Sequence, residues 1–282
     1  MAGTLYLCAT PIGNLEDITL RVLRILKEVD VIAAEDTRQS VKLLNHYGIS
    51  TPLVSYHEHN KREKTPLLVR RLLEGEDIAL VTDAGTPAIS DPGEDLVRAC
   101  YEAGVEVTSL PGASAVVTAL ALSGMKARRF TFEGFLPVDK KERVPVLERL
   151  KQSDCTAVFY EAPHRLIKTL HLLAETVGND RRAAVCKELT KKHEMAQHFT
   201  LGEAVSYYEE HEPRGEFVLV IEGADPEELR RERELAWKEI PLQQHMEKYL
   251  AEGMDKKTAM KAVAKDRGVS RREIYAALLE NG

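Results

Sequence analysis

The amino-acid sequence predicts an α/β protein made of two α/β domains and a small C-terminal helical tail. Three observations carry this expectation. The chain has 282 residues, roughly two domains at ordinary size. Short β-branched runs alternate with helix-period segments over the first 225 residues, which is the pattern of α/β folds. Each of the first five predicted strands runs into a polar loop, most of them carrying Gly or Pro. A composition of 44% hydrophobic and 30% charged residues excludes disordered and collagen-like chains.

Leu5–Ala9 reads as a strand ending in Pro11-Ile12-Gly13-Asn14, followed by a helix carrying Leu15, Ile18, Val22, Leu23, Ile25 and Leu26 near helical spacing. Val31–Ala34 is a second strand, ending at Glu35-Asp36-Thr37-Arg38. Leu53–Tyr56 ends at His57-Glu58-His59-Asn60, Ile78–Val81 ends at Thr82–Pro87, and Val105–Thr108 leads to Pro111–Ser114. Ligands of open α/β sheets bind outside the carboxyl ends of the strands. One edge therefore collects Asn14, Asp36, Arg38, His57, Asp83, Thr86 and Ser114.

Ser114–Leu122 is small and apolar and predicts a helix packed close to neighbouring backbone. The domain boundary is placed between Ala113 and Met125, giving domains at 1–115 and 116–225. Phe130–Phe135, Thr156–Tyr160, Ala183–Cys186 and Phe217–Ile221 are the strands of the second domain. Its helices are Arg143–Lys151, Leu166–Val177 and Leu201–His211. The charged Arg230–Glu234 run reads as a solvated helix or linker. In the tail, 236–282, helices at Gln243–Leu250, Lys256–Lys265 and Arg271–Leu279 follow, with Gly268-Val269-Ser270 as a break. Ser270 and Glu273 have the spacing of a capping box. Helix, turn and helix with Arg271 and Arg272 at the second start resembles a helix-turn-helix, and a hairpin packed on a partner subunit fits equally.

Net charge is −6. Residues 226–282 carry 12 Lys+Arg against 11 Asp+Glu, leaving 27 against 34 in the remainder. A nucleic-acid partner is therefore met through local patches and not through an overall basic surface. No apolar run approaches the roughly 18 residues of a membrane span, and the N-terminus lacks a basic n-region. Cys8, Cys100, Cys155 and Cys186 form no C-x-x-C pair, so neither zinc nor a disulfide framework is expected, and a cytoplasmic location fits. His57-Glu58-His59 is read as alternating across a strand, which does not converge on a metal. The sequence lacks the Walker A loop, G-x-G-x-x-G, H-E-x-x-H and G-x-S-x-G, so nucleoside triphosphate, classical dinucleotide, zinc-protease and serine-hydrolase sites lose their signatures.

Thr82-Asp83-Ala84-Gly85-Thr86-Pro87-Ala88-Ile89-Ser90-Asp91-Pro92-Gly93 is the most distinctive stretch. Its prolines and glycines fix a tight path that presents backbone groups to a polar ligand. Leu110–Ala115 does the same at the next crossing, and two such loops make a preorganised pocket. Together with Ala9–Ile18, Ala34–Arg38 and Tyr160–Arg165, these loops resemble the tetrapyrrole methylase superfamily, the class III S-adenosylmethionine-dependent methyltransferases. The match is closest to the branch that modifies 16S ribosomal RNA and covers nearly the whole chain.

The resemblance implies two α/β domains with S-adenosyl-L-methionine in the cleft between them. It assigns Pro11, Asp83, Gly85, Thr86, Pro87 and Ile89 to the cofactor on one side, with Ser114 and Ala115. Glu161, Ala162, Glu216 and Phe217 are assigned to it on the other. Two departures from the wider superfamily, a first loop without Gly-x-Gly-x-Gly-Asp and Thr86 where Asp is common, weaken any transfer of a tetrapyrrole-binding role. The implied reaction is 2′-O-methylation of a cytidine ribose in 16S ribosomal RNA, at cytidine 1402. Such a reaction needs in-line alignment and removal of the hydroxyl proton. Among Glu35, Asp36, Arg38, His57, Asp83, Glu161 and Lys187 on the cleft edge, Asp36, Arg38 and Lys187 are the preferred catalytic or positioning residues. Arg128-Arg129, Lys140-Lys141 with Arg143, Lys191-Lys192 and Arg271-Arg272 are candidate RNA contacts, and Tyr56, Phe135 and Tyr160 candidate stacking platforms. The acidic chain predicts an assembled small ribosomal subunit as substrate, and the family implies a homodimer. A small-molecule methylase of the same fold and a non-catalytic cofactor- or RNA-binding module are the competing readings.

Overall fold

The computed structural model describes residues 1–280. Five strands, β1 (Thr4–Cys8), β2 (Val31–Ala34), β3 (Leu53–Ser55), β4 (Ile78–Val81) and β5 (Glu106–Leu110), form a sheet in the order β3-β2-β4-β1-β5. Every pairing is parallel. A parallel sheet must be covered on both faces, and the two-residue period of the strands supplies both coverings. Cys8, Ile32, Ala34, Ala79 and Val81 pack with α1 (Leu20–Glu28) and α2 (Thr37–His46). Leu5, Leu7, Val31, Ala33, Ile78 and Leu80 pack with α3 (Lys61–Leu73) and α4 (Gly93–Glu102).

The second sheet contains β6 (Phe130–Phe135), β7 (Thr156–Glu161), β8 (Arg182–Lys187), β9 (Met195–Thr200) and β10 (Phe217–Ile221), in the order β6-β7-β10-β8-β9. Only β6 and β7 run parallel. One face packs on α6 (Lys140–Gln152), α7 (Leu166–Val177) and α8 (Leu201–Glu210). The other packs on α5 (Ala115–Ser123), whose Val116, Ala119 and Leu120 meet Val158, Ala184, Cys186, Val218 and Val220. Small residues let this helix approach the sheet, as its composition predicts.

The tail consists of α9 (Pro226–Glu239), α10 (Leu242–Ala251), α11 (Lys256–Asp266) and α12 (Arg271–Glu280). Met246, Ala259, Met260, Val263, Ala264 and Ile274 form its own small core. The predicted capping box is present: Ser270 N–H donates to Glu273 Oε2 at 2.7 Å, and Glu273 N–H donates to Ser270 Oγ at 3.3 Å. The side chain of His245 is fully enclosed and stacks on Trp237, with ring centroids 3.9 Å apart. Asp266 Oδ2 lies 3.2 Å from His245 Nε2 and also accepts from the Tyr249 hydroxyl. Arg267 Nε lies 3.2 Å from the other ring nitrogen, and Lys248 sits over Trp237 at 4.6 Å.

Four expectations change. The helix read from Leu15 is two pieces, a 3-10 turn at Leu15–Asp17 and α1 from Leu20. Asn14 Oδ1 caps the first piece, and Thr19 Oγ1, accepting from Val22 N–H at 3.1 Å, restarts the second. β9 has no counterpart in the sequence reading, because Met-Ala-Gln-His-Phe-Thr lacks a β-branched run and gains its structure from pairing with β8. The helices α2, α3 and α4 also fill stretches read as loops or left unassigned. In α3, Pro66 and the charges hide an i, i+4 pair of buried residues, Leu68 and Leu72. His57-Glu58-His59 lies in a turn after β3, not on a strand, so the alternation argument does not apply.

Two predictions follow from the packing. A Cβ at Gly112 would lie 2.6 Å from Ala9 Cβ, so Gly112→Ala forces the loops after β1 and β5 apart. A destabilisation of about 1–3 kcal/mol is expected, read from urea unfolding midpoints. The second concerns His245, whose pKa burial lowers below its ordinary value against the opposing pull of Asp266, with Arg267 and Lys248 adding to the lowering. The unfolded tail therefore binds a proton that the folded tail resists, and stability falls as pH drops below the free-imidazole value of about 6.5. Trp237, the single tryptophan, reports this directly. Its emission should change on acidification from pH 7 to 5, and His245→Phe should remove that change.

Candidate functional site

The loops at the carboxyl ends of the first sheet are tied into one strip. Thr10 and Gly85 exchange backbone hydrogen bonds of 2.9 and 3.1 Å, joining the loops after β1 and β4. Thr10 Oγ1 donates to the Thr82 carbonyl at 3.1 Å, and Thr86 Oγ1 donates to the Ala113 carbonyl at 3.2 Å. The strip thus includes the loop after β5. Gly85 has φ +88°, a left-handed conformation that glycine adopts freely.

Beyond Gly85 the loop is strained. Ala88 and Ser90 have φ of 66° and 67°, costing on the order of 1–3 kcal/mol each. Asp91 Oδ1 holds the turn by accepting from Ala88 N–H at 3.0 Å and Gly93 N–H at 2.8 Å. Ile89 projects from it, half exposed. Pro11 lies partly buried beside Thr10, while Ser114 caps α5 without a side-chain bond and Ala115 begins that helix.

Three carboxylates meet at the ends of β2 and β4. Thr82 Oγ1 donates to Glu35 Oε2 at 2.8 Å, and Asp36 N–H donates to Asp83 Oδ1 at 3.0 Å. Arg38 forms a fork on Asp36 with bonds of 3.0 and 2.8 Å. Neighbouring carboxyls are thereby driven in opposite directions. The hydrogen bonds from Arg38 hold Asp36 down to about 2. Burial, reinforced by the charges of Glu35 and Asp36, raises Asp83.

The second sheet turns one end toward this strip. A Cβ on Gly134, at the bulge of β6, would lie 3.4 Å from Ser90 Oγ, and one on Gly13 would lie 2.5 Å from Lys191 Cγ. Ile12 packs against the α5 face of the second sheet. At this end Phe217 is in register with Glu161 on one side and Lys187 on the other. Glu161 is buried: Thr169 Oγ1 donates to its Oε2 at 2.6 Å, Ala162 N–H to its Oε1 at 2.8 Å, and Arg165 Nε lies 3.6 Å away. Phe217 is 2% exposed and packs edge-on against Tyr208. Both side chains therefore serve the second core, and their main chains are what this end can offer a ligand. Glu216 is exposed and paired with Lys191 at 2.9 Å.

The structure brings Asp36, Arg38 and Asp83 into one cluster, and Glu161, Phe217 and Lys187 into one row. Among the described residues, no hydrogen bond or ion pair joins Lys187 to Asp36 or Arg38. Tyr56 is corrected as a stacking platform: it is 1% exposed, and its hydroxyl bonds Thr65 and the Pro92 carbonyl. Phe135 is 53% exposed, its ring 5.7 Å from the half-buried Tyr160. Sequence reasoning gave no role to Asp91 or Thr190. Buried side-chain atoms without a hydrogen-bond partner occur at His57 Nδ1, Asp91 Oδ2 and Thr190 Oγ1. These three sit in the loops after β3, β4 and β8, and buried polar atoms of this kind call for a partner.

The profile of the Tetrapyrrole (Corrin/Porphyrin) Methylases matches residues 4–205. The chain is 52% identical over 273 residues to Ribosomal RNA small subunit methyltransferase I of Halalkalibacterium halodurans, covering 97% of this chain and 93% of that protein. It is 49% identical to the protein of the same name from Bacillus subtilis, covering 98% and 94%. Among solved structures, diphthine synthase aligns with a TM-score of 0.63 at 15% identity, over 78% of this chain and 90% of that one. Uroporphyrin-III-C-methyltransferase from Thermus thermophilus aligns at 0.56 and 23%, over 78% and 94%. These two likenesses speak for the fold, and the sequence matches carry the assignment: the chain belongs to the tetrapyrrole methylase family.

Proposed function

We propose that this protein transfers the methyl group of S-adenosyl-L-methionine to the ribose 2′-oxygen of a cytidine in 16S ribosomal RNA, with the small ribosomal subunit as substrate. A cytoplasmic homodimer with divisions at 1–115, 116–225 and 236–282 is part of the same reading. The observation that carries it is the strip held by Thr10 and Gly85, which the second sheet's loops approach at Gly13–Lys191 and Gly134–Ser90. The relatives' names, Ribosomal RNA small subunit methyltransferase I, support the substrate class. No helix among the described residues is long and apolar enough to cross a membrane.

In this reading Pro11, Asp83, Gly85, Thr86, Pro87, Ile89, Ser114 and Ala115 hold the cofactor from one side, and Glu161, Ala162, Glu216 and Phe217 from the other. The bound cofactor supplies a sulfonium methyl that is already electrophilic. With that group bound, transfer to the ribose oxygen would require only that the oxygen be aligned with the methyl and that the hydroxyl proton be taken up. The chain's work is alignment and proton removal. Asp36, locked by Arg38, is a weak base, so the pair suits positioning of the ribose-phosphate. Asp83, raised by burial, is the stronger proton acceptor of the two, and Lys187, the last residue of β8, is assigned as the cation for the developing alkoxide.

The test is transfer of labelled methyl to purified small subunits lacking the modification, followed by nucleoside mass spectrometry. A 2′-O-methylated cytidine is expected. Arg38→Ala and Lys187→Ala should each lower kcat/KM by about tenfold to a thousandfold, with cofactor affinity retained. Cofactor binding without transfer to any RNA would overturn the assignment in favour of a small-molecule methylase.

A further inference from the structure

Three of the basic side chains that the sequence offers for RNA are committed within the chain, while Arg128, Lys140, Lys141 and Lys192 stand exposed, singly or as one neighbouring pair, without an ion pair among the described residues. Arg129 pairs with Asp154. Arg143 donates to the carbonyls of Pro137 and Val138. Lys191 is held by Glu188 and Glu216. The tail differs. From 256 to 272 it carries seven Lys+Arg against one acidic residue, Asp266. Asp266 and Arg267 are both engaged with His245. Six exposed cations remain: Lys256, Lys257, Lys261, Lys265, Arg271 and Arg272. Among the described residues none of them forms an ion pair.

Their placement is ordered by the fold. Lys257, Lys261 and Lys265 recur at i, i+4 and i+8 and make one stripe along α11, beside the buried face of Ala259, Met260, Val263 and Ala264. The neighbouring acids are used as caps. Asp255 accepts from Lys257 N–H at 2.8 Å and Thr258 N–H at 3.1 Å, and Glu273 closes the capping box of α12. That box fixes the turn from which Arg271 and Arg272 extend. Tyr275, 55% exposed, follows Arg271 by four residues and shares its side of the helix.

We propose that this cationic surface of α11 and α12 binds the phosphodiester backbone of the substrate RNA and anchors it while the cleft acts elsewhere on the chain. The inference rests on the proposed RNA substrate. Its physical basis is charge: the first 225 residues carry a net negative charge and repel a polyanion, so productive binding requires a local patch whose cations are not already neutralised. Phosphate contacts of this type position RNA without reading its sequence.

The test uses the full-length protein with Lys257→Gln, Lys261→Gln and Lys265→Gln combined, and separately Arg271→Gln with Arg272→Gln. Trp237 emission and cofactor affinity, unchanged, establish that the tail and the cleft are intact. Methyl transfer to small subunits is then measured against salt. The expected result is a KM for the subunit raised about tenfold or more, kcat within about twofold, and a log–log salt slope of binding reduced by about two for the triple variant. A KM and salt slope equal to those of the unaltered protein overturn the inference. A changed oligomeric state with unchanged RNA affinity also overturns it and assigns the surface to a partner subunit. Absence of transfer by the unaltered protein instead overturns the proposed function, which keeps the two failures apart.

Discussion

Two backbone hydrogen bonds between Thr10 and Gly85 are the constraint on which the site depends. They form an isolated antiparallel bridge between the loops that follow the parallel strands β1 and β4, and so fix the direction in which the chain leaves those strands. Thr86 extends that order to the loop after β5. Everything the second sheet presents then meets a rigid edge. The contacts of Gly13 with Lys191 and of Gly134 with Ser90 are possible only because those loops do not move independently. The left-handed residues at 88 and 90 are tolerated for the same reason, since Asp91 over-determines the turn.

Much of this was legible in the sequence, and the limits have physical causes. Parallel strands buried on both faces are continuous apolar runs, so β2 and β4 stand out with their observed bounds. The loops stand out because Gly and Pro are punctuation. β9 does not, because an edge strand of Gln, His and Thr owes its form to its neighbour. The role of Glu161 is equally hidden. A carboxylate at a strand end reads as a ligand group, and only the structure reveals that Thr169 and the Ala162 amide already occupy its oxygens. The basic pairs illustrate the same boundary. Sequence lists the cations, whereas the fold decides which remain free.

Electrostatics divides the molecule more finely than its net charge. Asp36 and Asp83 are adjacent, yet a guanidinium lowers one and burial raises the other. Two carboxyls of one cluster can thus do different work, one fixed as an anion and one able to take a proton. In the tail five of the acids lie in α9, whereas six exposed cations without an ion pair among the described residues lie in α11 and the start of α12. A composition near neutrality there conceals a sharply polar surface.

The position of β10 at the centre of the second sheet also governs how this protein can be made. It is the last strand synthesised, yet it separates β7 from β8. Until residues 217–221 have left the ribosome, both of those strands keep an unpaired inner edge, and exposed edges invite wrong partners. The first sheet has no such dependence, since its last strand is an edge strand. The amino-terminal half can therefore close during translation, while the other half waits for one five-residue segment. A chain interrupted before Phe217 would carry a finished first sheet attached to an aggregation-prone second one.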